Sequence, residues 1–278
     1  GQVRLVGNTT LAGGGMAFAD AVDGAKQLTV NTSGVARFFG AVGAATPLKG
    51  LVFQRANSVE SYAGMRLDGR GLAPTANGLV IGRGVGSVTI STDDPVARPC
   101  VISGFGGSGI LFQGGSQGST IRGFTLTGNG QGITFLPGDY GGTSVASSTI
   151  VGSKRAGVAL SGAQNLALGG AGDLANWIDG GAAPRLAGKG VVARGMLTGT
   201  RVVGNTITRN NGGIVMQNAH GITIGGAGLD NTVAGNIAWG LVATGNCTGS
   251  VIDANVFEGN TPGHVNVRQA RGIVSTPI

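Results

Sequence analysis

From residue 78 onward, short apolar runs that open on glycine recur along the chain: "GLVI" at 78, "GILF" at 109, "GITF" at 132 and "GVAL" at 157. They continue as "GVVA" at 190, "GIVM" at 213 and "GLVA" at 240, with a weakened "GHVNV" at 263. From 109 the intervals are 23, 25, 33, 23, 27 and 23 residues, and the longest contains "GGAAPRLAGKG", which reads as a loop insertion. A second short run precedes many of these ("FTL", "STI", "NTI", "NVF"), and a third follows some ("LAL" at 166, "ITI" at 222). Polar Gly, Asn and Ser turns separate them, and helix-period runs are nearly absent.

Three strands per unit, each too short to form a sheet alone, must stack on their equivalents in the next unit. The pattern therefore predicts an all-β fold: a single-stranded right-handed parallel β-helix with three short strands per coil of about 24 residues. Val, Ile, Leu and Phe are expected inside, glycine at crowded corners. Asn129, Asn205, Asn210, Asn255 and Asn260 are expected to stack into side-chain ladders.

Residues 1–56 repeat a different frame. "MAFADAV" and "ARFFGAV" match Phe18 with Phe38 and Val22 with Val42. We expect 1–56 to form β repeats continuous with the solenoid, 57–77 an irregular junction and 78–278 the β-helix. The stretch 54–77 is the least periodic part of the chain.

Composition sharpens this picture. Glycine supplies 57 of 278 residues and charged residues only 11%, against typical shares of roughly 7% and about 25%. The net charge of +7 is carried by scattered cations, without a basic stripe interleaved with aromatics, so nucleic acid is not an expected partner. A diffuse positive field suits an acidic polysaccharide or a cell-surface glycan. No apolar run reaches the ~18–20 residues of a membrane span, and no signal peptide is visible from Gly1 onward, so a mature or excised piece is expected, with room for a cleaved export signal.

Residues 78–278 resemble the right-handed parallel β-helix repeats of the pectate-lyase-like superfamily. The paired loops "LALGGAGDLANWIDGG" and "ITIGGAGLDNTVAGN" look like coils of very large secreted bacterial proteins, and "LTVNTSG" with its sequel resembles adhesin-like surface repeats. The resemblance implies a secreted or cell-surface bacterial protein, stacked against neighbouring solenoid repeats of a longer parent chain.

The candidate chemistry is sparse. "GGAGLDNTV" partly fits a calcium nonapeptide, with Asp230 as the carboxylate, and calcium is the one cofactor it suggests. Asp230, Asp253, Glu258, Asp179 and Arg268 are the catalytic candidates, because enzymes acting on polysaccharides need paired carboxylates or a cation near the scissile bond. Asp179 and Asp253 would share a face if the coils register so. Asp93 and Asp94 in "STDDPVARP", Asp173, Arg271 and the two histidines, His220 and His264, add little, since two histidines alone make a poor metal site. Trp177 and Trp239, with Arg194, are the ligand-binding candidates, an exposed indole being a platform for a sugar ring. Cys100 and Cys247 fall coils apart, beyond the ~7 Å reach of a disulfide, and are expected to be free and buried. Two readings follow: a structural and adhesive solenoid that contacts glycan, or a lyase, hydrolase or epimerase on an acidic polysaccharide.

Overall fold

The computed structural model describes residues 2–92, 99–183 and 187–275, apart from the side chain of Arg268. The chain winds as a parallel β-helix with three walls. The first wall is an 8-stranded sheet built from Met65–Asp68, Cys100–Ser103, Phe124–Thr127, Thr149–Val151, Trp177–Asp179, Thr206–Thr208, Thr232–Ala234 and Val256–Glu258. Its strands pair in parallel with one residue of each coil beside its equivalent: Cys100 beside Phe124, Thr149 beside Trp177, Thr206 beside Thr232.

The second wall stacks the glycine-opened runs, so that Leu51, Leu79, Ile110, Ile133, Val158, Val191, Ile214, Leu241 and Val265 form one column. The third carries Ile90, Ile121, Val145 and Leu168, then Val202, Ile224 and Ile252. All of these except Val265 are buried in one continuous core cluster. Eleven coils, from Thr9 beside Leu28 to Leu241 beside Val265, give ten steps of ~4.8 Å, a rod of roughly 48 Å.

The glycine that opens each second-wall strand has a packing cause. A Cβ on Gly132 would sit 2.4 Å from Gly157 O and 2.4 Å from Ile150 Cγ2. The neighbouring coil's carbonyl and an inward first-wall side chain already fill that space. Aromatic stacking reinforces the interior: Phe112 and Phe135 lie 4.6 Å apart, with Tyr140 edge-on to both.

The matched frame at the start of the chain is a matched pair of coils. Phe18 stacks on Phe38 at 4.5 Å, and Val22 bridges to Val42. The irregular junction expected over 57–77 carries regular strand at its start and middle. A strand Gly50–Ser61 runs through the corner between the second and third walls, and Met65–Asp68 begins the first wall. The sequence of Gly50–Ser61 has no internal glycine or proline to mark that corner, which is why its period is hard to see.

Two asparagine ladders line the corners. Asn176 donates to Asn205, Asn205 to Asn231 and Asn231 to Asn255, at 2.9–3.0 Å. At the other corner Asn210 donates to Asn236 and Asn236 to Asn260. Asn129 stands outside both ladders, giving its amide to Ile102 O and accepting from Phe105 N. Each ladder amide also satisfies a backbone carbonyl of the preceding coil, so these buried polar groups are paired within the protein.

Candidate functional site

Parallel register brings three cations together on the outer face of the second wall. Ala156 lies beside Lys189, and Ser161 beside Arg194, while Arg155 precedes the same strand at the corner. Together they line a groove of about 500 Å³ with Gln131, Thr134, Ala159 and Val192. The floor is apolar: Ala156, Ala159 and Val192 form a small buried cluster of their own on the outside of the wall. The cations are held by neutral partners. Arg194 Nε donates to Gln217 Oε1 at 2.7 Å, Lys189 Nζ to Asn211 Oδ1 at 3.3 Å and an Arg155 amino group to Gly106 O at 3.2 Å. Among the described residues no carboxylate forms an ion pair with any of the three; those ion pairs join Arg37 to Glu60, Lys49 and Arg70 to Asp68, and Arg209 to Asp179. The groove is therefore a concentration of uncompensated positive charge over a small apolar floor.

The candidate carboxylates do not converge. Asp179 and Glu258 occupy one outward column of the first wall, separated by Thr208 and Ala234. Three coil steps put them ~14 Å apart, beyond the ~5–9.5 Å that a pair of glycosidic carboxylates needs. Asp253 does not share their face: it lies beside Gly225 at the end of the third wall. Asp230 is exposed in the loop at the neighbouring corner, where Leu229 N closes a turn on Gly226 O. Asp173 sits in the sister loop, with a coil between the two loops. Asp93, Asp94 and the side chain of Arg268 lie outside the described residues.

Asp179 has an organising role of its own. It is 5% exposed and accepts from Trp177 Nε1 at 3.1 Å, Gly181 N at 2.9 Å and Arg209 Nε at 3.0 Å. A second Arg209 nitrogen closes a two-point ion pair. Burial pushes this carboxyl up. The bonds from Arg209, Gly181 and Trp177 and the guanidinium charge outweigh it and hold the group below the usual carboxylate range. Trp177 remains 49% exposed. Trp239 instead lies over the next coil, its ring filling the space where a Cβ on Gly263 would stand, so it covers a corner. His220 ends the strand Gly212–His220 beside Met196, and His264 is exposed.

A family model described as "Periplasmic copper-binding protein (NosD)" matches residues 63–272. The chain belongs to the NosD family. No curated protein and no solved structure matches it. A NosD chain is an exported bacterial protein, and among the described residues no helix is long and apolar enough to cross a membrane.

The family description raises copper, which favours thiolate, thioether and imidazole donors. This NosD chain does not gather them. Both cysteines are free and buried, as expected. Burial pushes the Cys100 thiol up to about 11, against the thiolate a metal requires. Met65 and Met216 are buried in the core. Met196 and His220 are register neighbours, but they bring one thioether and one imidazole without the thiolate or second imidazole of a resident copper site. Among the described residues no three of His, Cys, Asp and Glu cluster to hold a metal. The residues present do not fit a resident copper ion.

Proposed function

We propose that this NosD chain is a non-catalytic, exported β-solenoid of the pectate-lyase-like type that holds an acidic polysaccharide along its second wall. The observation that carries this reading is the groove of Arg155, Lys189 and Arg194, three cations with no paired carboxylate among the described residues, above an apolar floor. Sugar rings present C–H faces to such a floor and carboxylates to the rim cations. A charge-assisted bond from Arg or Lys to a carboxylate is roughly twice as strong as a neutral one. The dispersed acids, set apart by ~14 Å or by a wall, support binding rather than hydrolysis. The rigid rod then acts as an adhesive element, and the copper of the family description is not carried over.

The test is titration with polygalacturonate and alginate, with dextran as a neutral comparison, at low and high salt. Tight binding of the two acidic polymers that weakens at least about tenfold in Lys189→Gln/Arg194→Gln, and with added salt, supports the groove. Equal binding of acidic polymers by that double variant and the parent sinks it.

A further inference from the structure

The first wall carries a second, chemically different feature around Trp177. Its outward column next to the Asn corner reads Thr125, Thr149, Trp177, Thr206 and Thr232 in register. β-Branched threonine is what an exposed strand position favours, so four of these five residues are explained by the wall itself. The tryptophan is not. One column further along, the buried Asp179 stands between Val151 and Thr208; the column's other acids, Asp68 and Glu258, are half-buried and exposed at its two ends.

The corner that follows breaks its own rule as well. The residue after each first-wall strand bonds back to the next coil, and it is glycine at 104, 128, 152, 180 and 235. Gly104, Gly128, Gly152 and Gly235 have positive φ there, between 60° and 73°. In one coil that position is Arg209, with φ +54°. A side chain with a Cβ is strained in this backbone, and this one reaches back to clamp Asp179. Asp179 in turn holds the Trp177 indole by its Nε1. Three departures from the coil pattern thus meet in a single cluster: a buried acid, a strained arginine and an exposed, fixed indole. Where local rules are broken together, a functional site is the physical expectation.

We propose that Trp177, oriented by Asp179 and Arg209, is a stacking platform for a neutral pyranose within a linear polysaccharide. The Asp179–Arg209 pair is neutral as a unit, so it does not select an acidic sugar. The Arg209 side chain is 55% exposed, and its remaining N–H groups are placed to meet ring hydroxyls. The threonine hydroxyls above and below continue the polar strip for neighbouring sugars, and the indole face takes the C–H face of one ring. The choice of a sugar as ligand rests on the glycan-binding reading above; the site and its charge class do not involve the groove.

Trp177 and Trp239 are the chain's 2 tryptophans, so Trp239→Phe leaves Trp177 as the sole indole reporter. Cellohexaose and mannohexaose are titrated into that protein while its emission is followed. Saturable change in emission with either hexasaccharide, lost in Trp177→Thr on a binding assay and weakened at least about tenfold in Asp179→Thr/Arg209→Gly, is the expected result. Both variants restore residues found in neighbouring coils, so the wall is retained, and circular dichroism confirms it. No change with either hexasaccharide overturns the platform, as does binding that Trp177→Thr leaves intact. Loss of polygalacturonate binding in Lys189→Gln/Arg194→Gln is read separately, so the groove and the platform stand or fall independently.

Discussion

Replacing Asn231 with alanine tests whether the ladders hold the coils together. Asn231 is fully buried. Its amide donates to Val202 O at 2.7 Å and Asn255 Oδ1 at 2.9 Å, and its oxygen accepts from Asn205 N and Nδ2, both at 3.0 Å. Asn205 Nδ2 keeps Leu168 O and Val203 O as partners, and Asn255 Oδ1 keeps the Asn231 backbone N–H at 3.3 Å. The group that loses its partner outright is the Asn205 N–H; Val202 O keeps its place in the ladder to the next coil. An unsatisfied buried group costs about 1–3 kcal/mol and a lost neutral bond about 0.5–1.5, so Asn231→Ala is expected to destabilise by about 2–4 kcal/mol. Asn255→Ala is the control. That residue is half-buried at the last rung, water can replace its bonds, and about 1 kcal/mol is expected. Urea unfolding gives the two losses. Hydrogen exchange locates them, because solenoid stability is carried by neighbouring coils: protection falls at Asn205 and Thr232 and holds at Leu51 and Leu79. Equal losses for Asn231→Ala and Asn255→Ala, or a loss below about 1 kcal/mol at Asn231, would refute the ladder argument.

Adjacent glycines separate packing from sequence. A Cβ at Gly213 would lie 2.2 Å from Gly240 O and 2.5 Å from Val233 Cγ1, whereas at Gly212 its nearest neighbour is the flexible Lys189 Cδ at 3.2 Å. Gly213→Ala is expected to cost about 3 kcal/mol or more and Gly212→Ala well under half of that, read from denaturant midpoints. Arg209→Gly weakens one pH dependence. In the parent, Asp179 titrates below its unfolded range, so its stabilisation is present above about pH 4 and fades as pH falls through the lower folded value. Without Arg209 much of what outweighs burial is gone, so the stabilisation above about pH 4 shrinks and the variant's deficit in thermal midpoint is larger at pH 7 than at pH 4. A deficit that shrinks toward pH 7 contradicts this. Purified protein incubated with copper(I) or copper(II) and passed over a desalting column is expected to emerge without stoichiometric metal; one retained copper per chain would show that the donor argument is wrong.

The fold was legible because its period is physical. The glycine of each "G-I-x-x" run stands where the next coil leaves no room for a Cβ, and Asn205, Asn210, Asn255 and Asn260 mark real ladder rungs. What the sequence hid depends on register. Arg155, Lys189 and Arg194 meet only because Ala156 pairs with Lys189 and Ser161 with Arg194, across the longest interval between glycine-opened runs. Asp179 and Asp253 looked as though they might face each other, yet they belong to different walls, since the third wall ends one corner earlier. The Trp177 cluster left a readable trace: Arg209 occupies a column otherwise held by glycine, and Trp177 one held by Thr in the two coils on either side. That signal emerges once coils are aligned by their first-wall strands rather than by the more conspicuous glycine runs.

The most direct measurement is prolonged incubation of the protein with polygalacturonate, alginate and neutral β-glucan, with and without calcium. Bound and free carbohydrate are then sized by chromatography and mass spectrometry. A binding solenoid returns every polymer at its original length while retaining part of it on the protein. New oligosaccharides, whether unsaturated or hydrolytic, would contradict that account and make the Arg155–Lys189–Arg194 groove an active site.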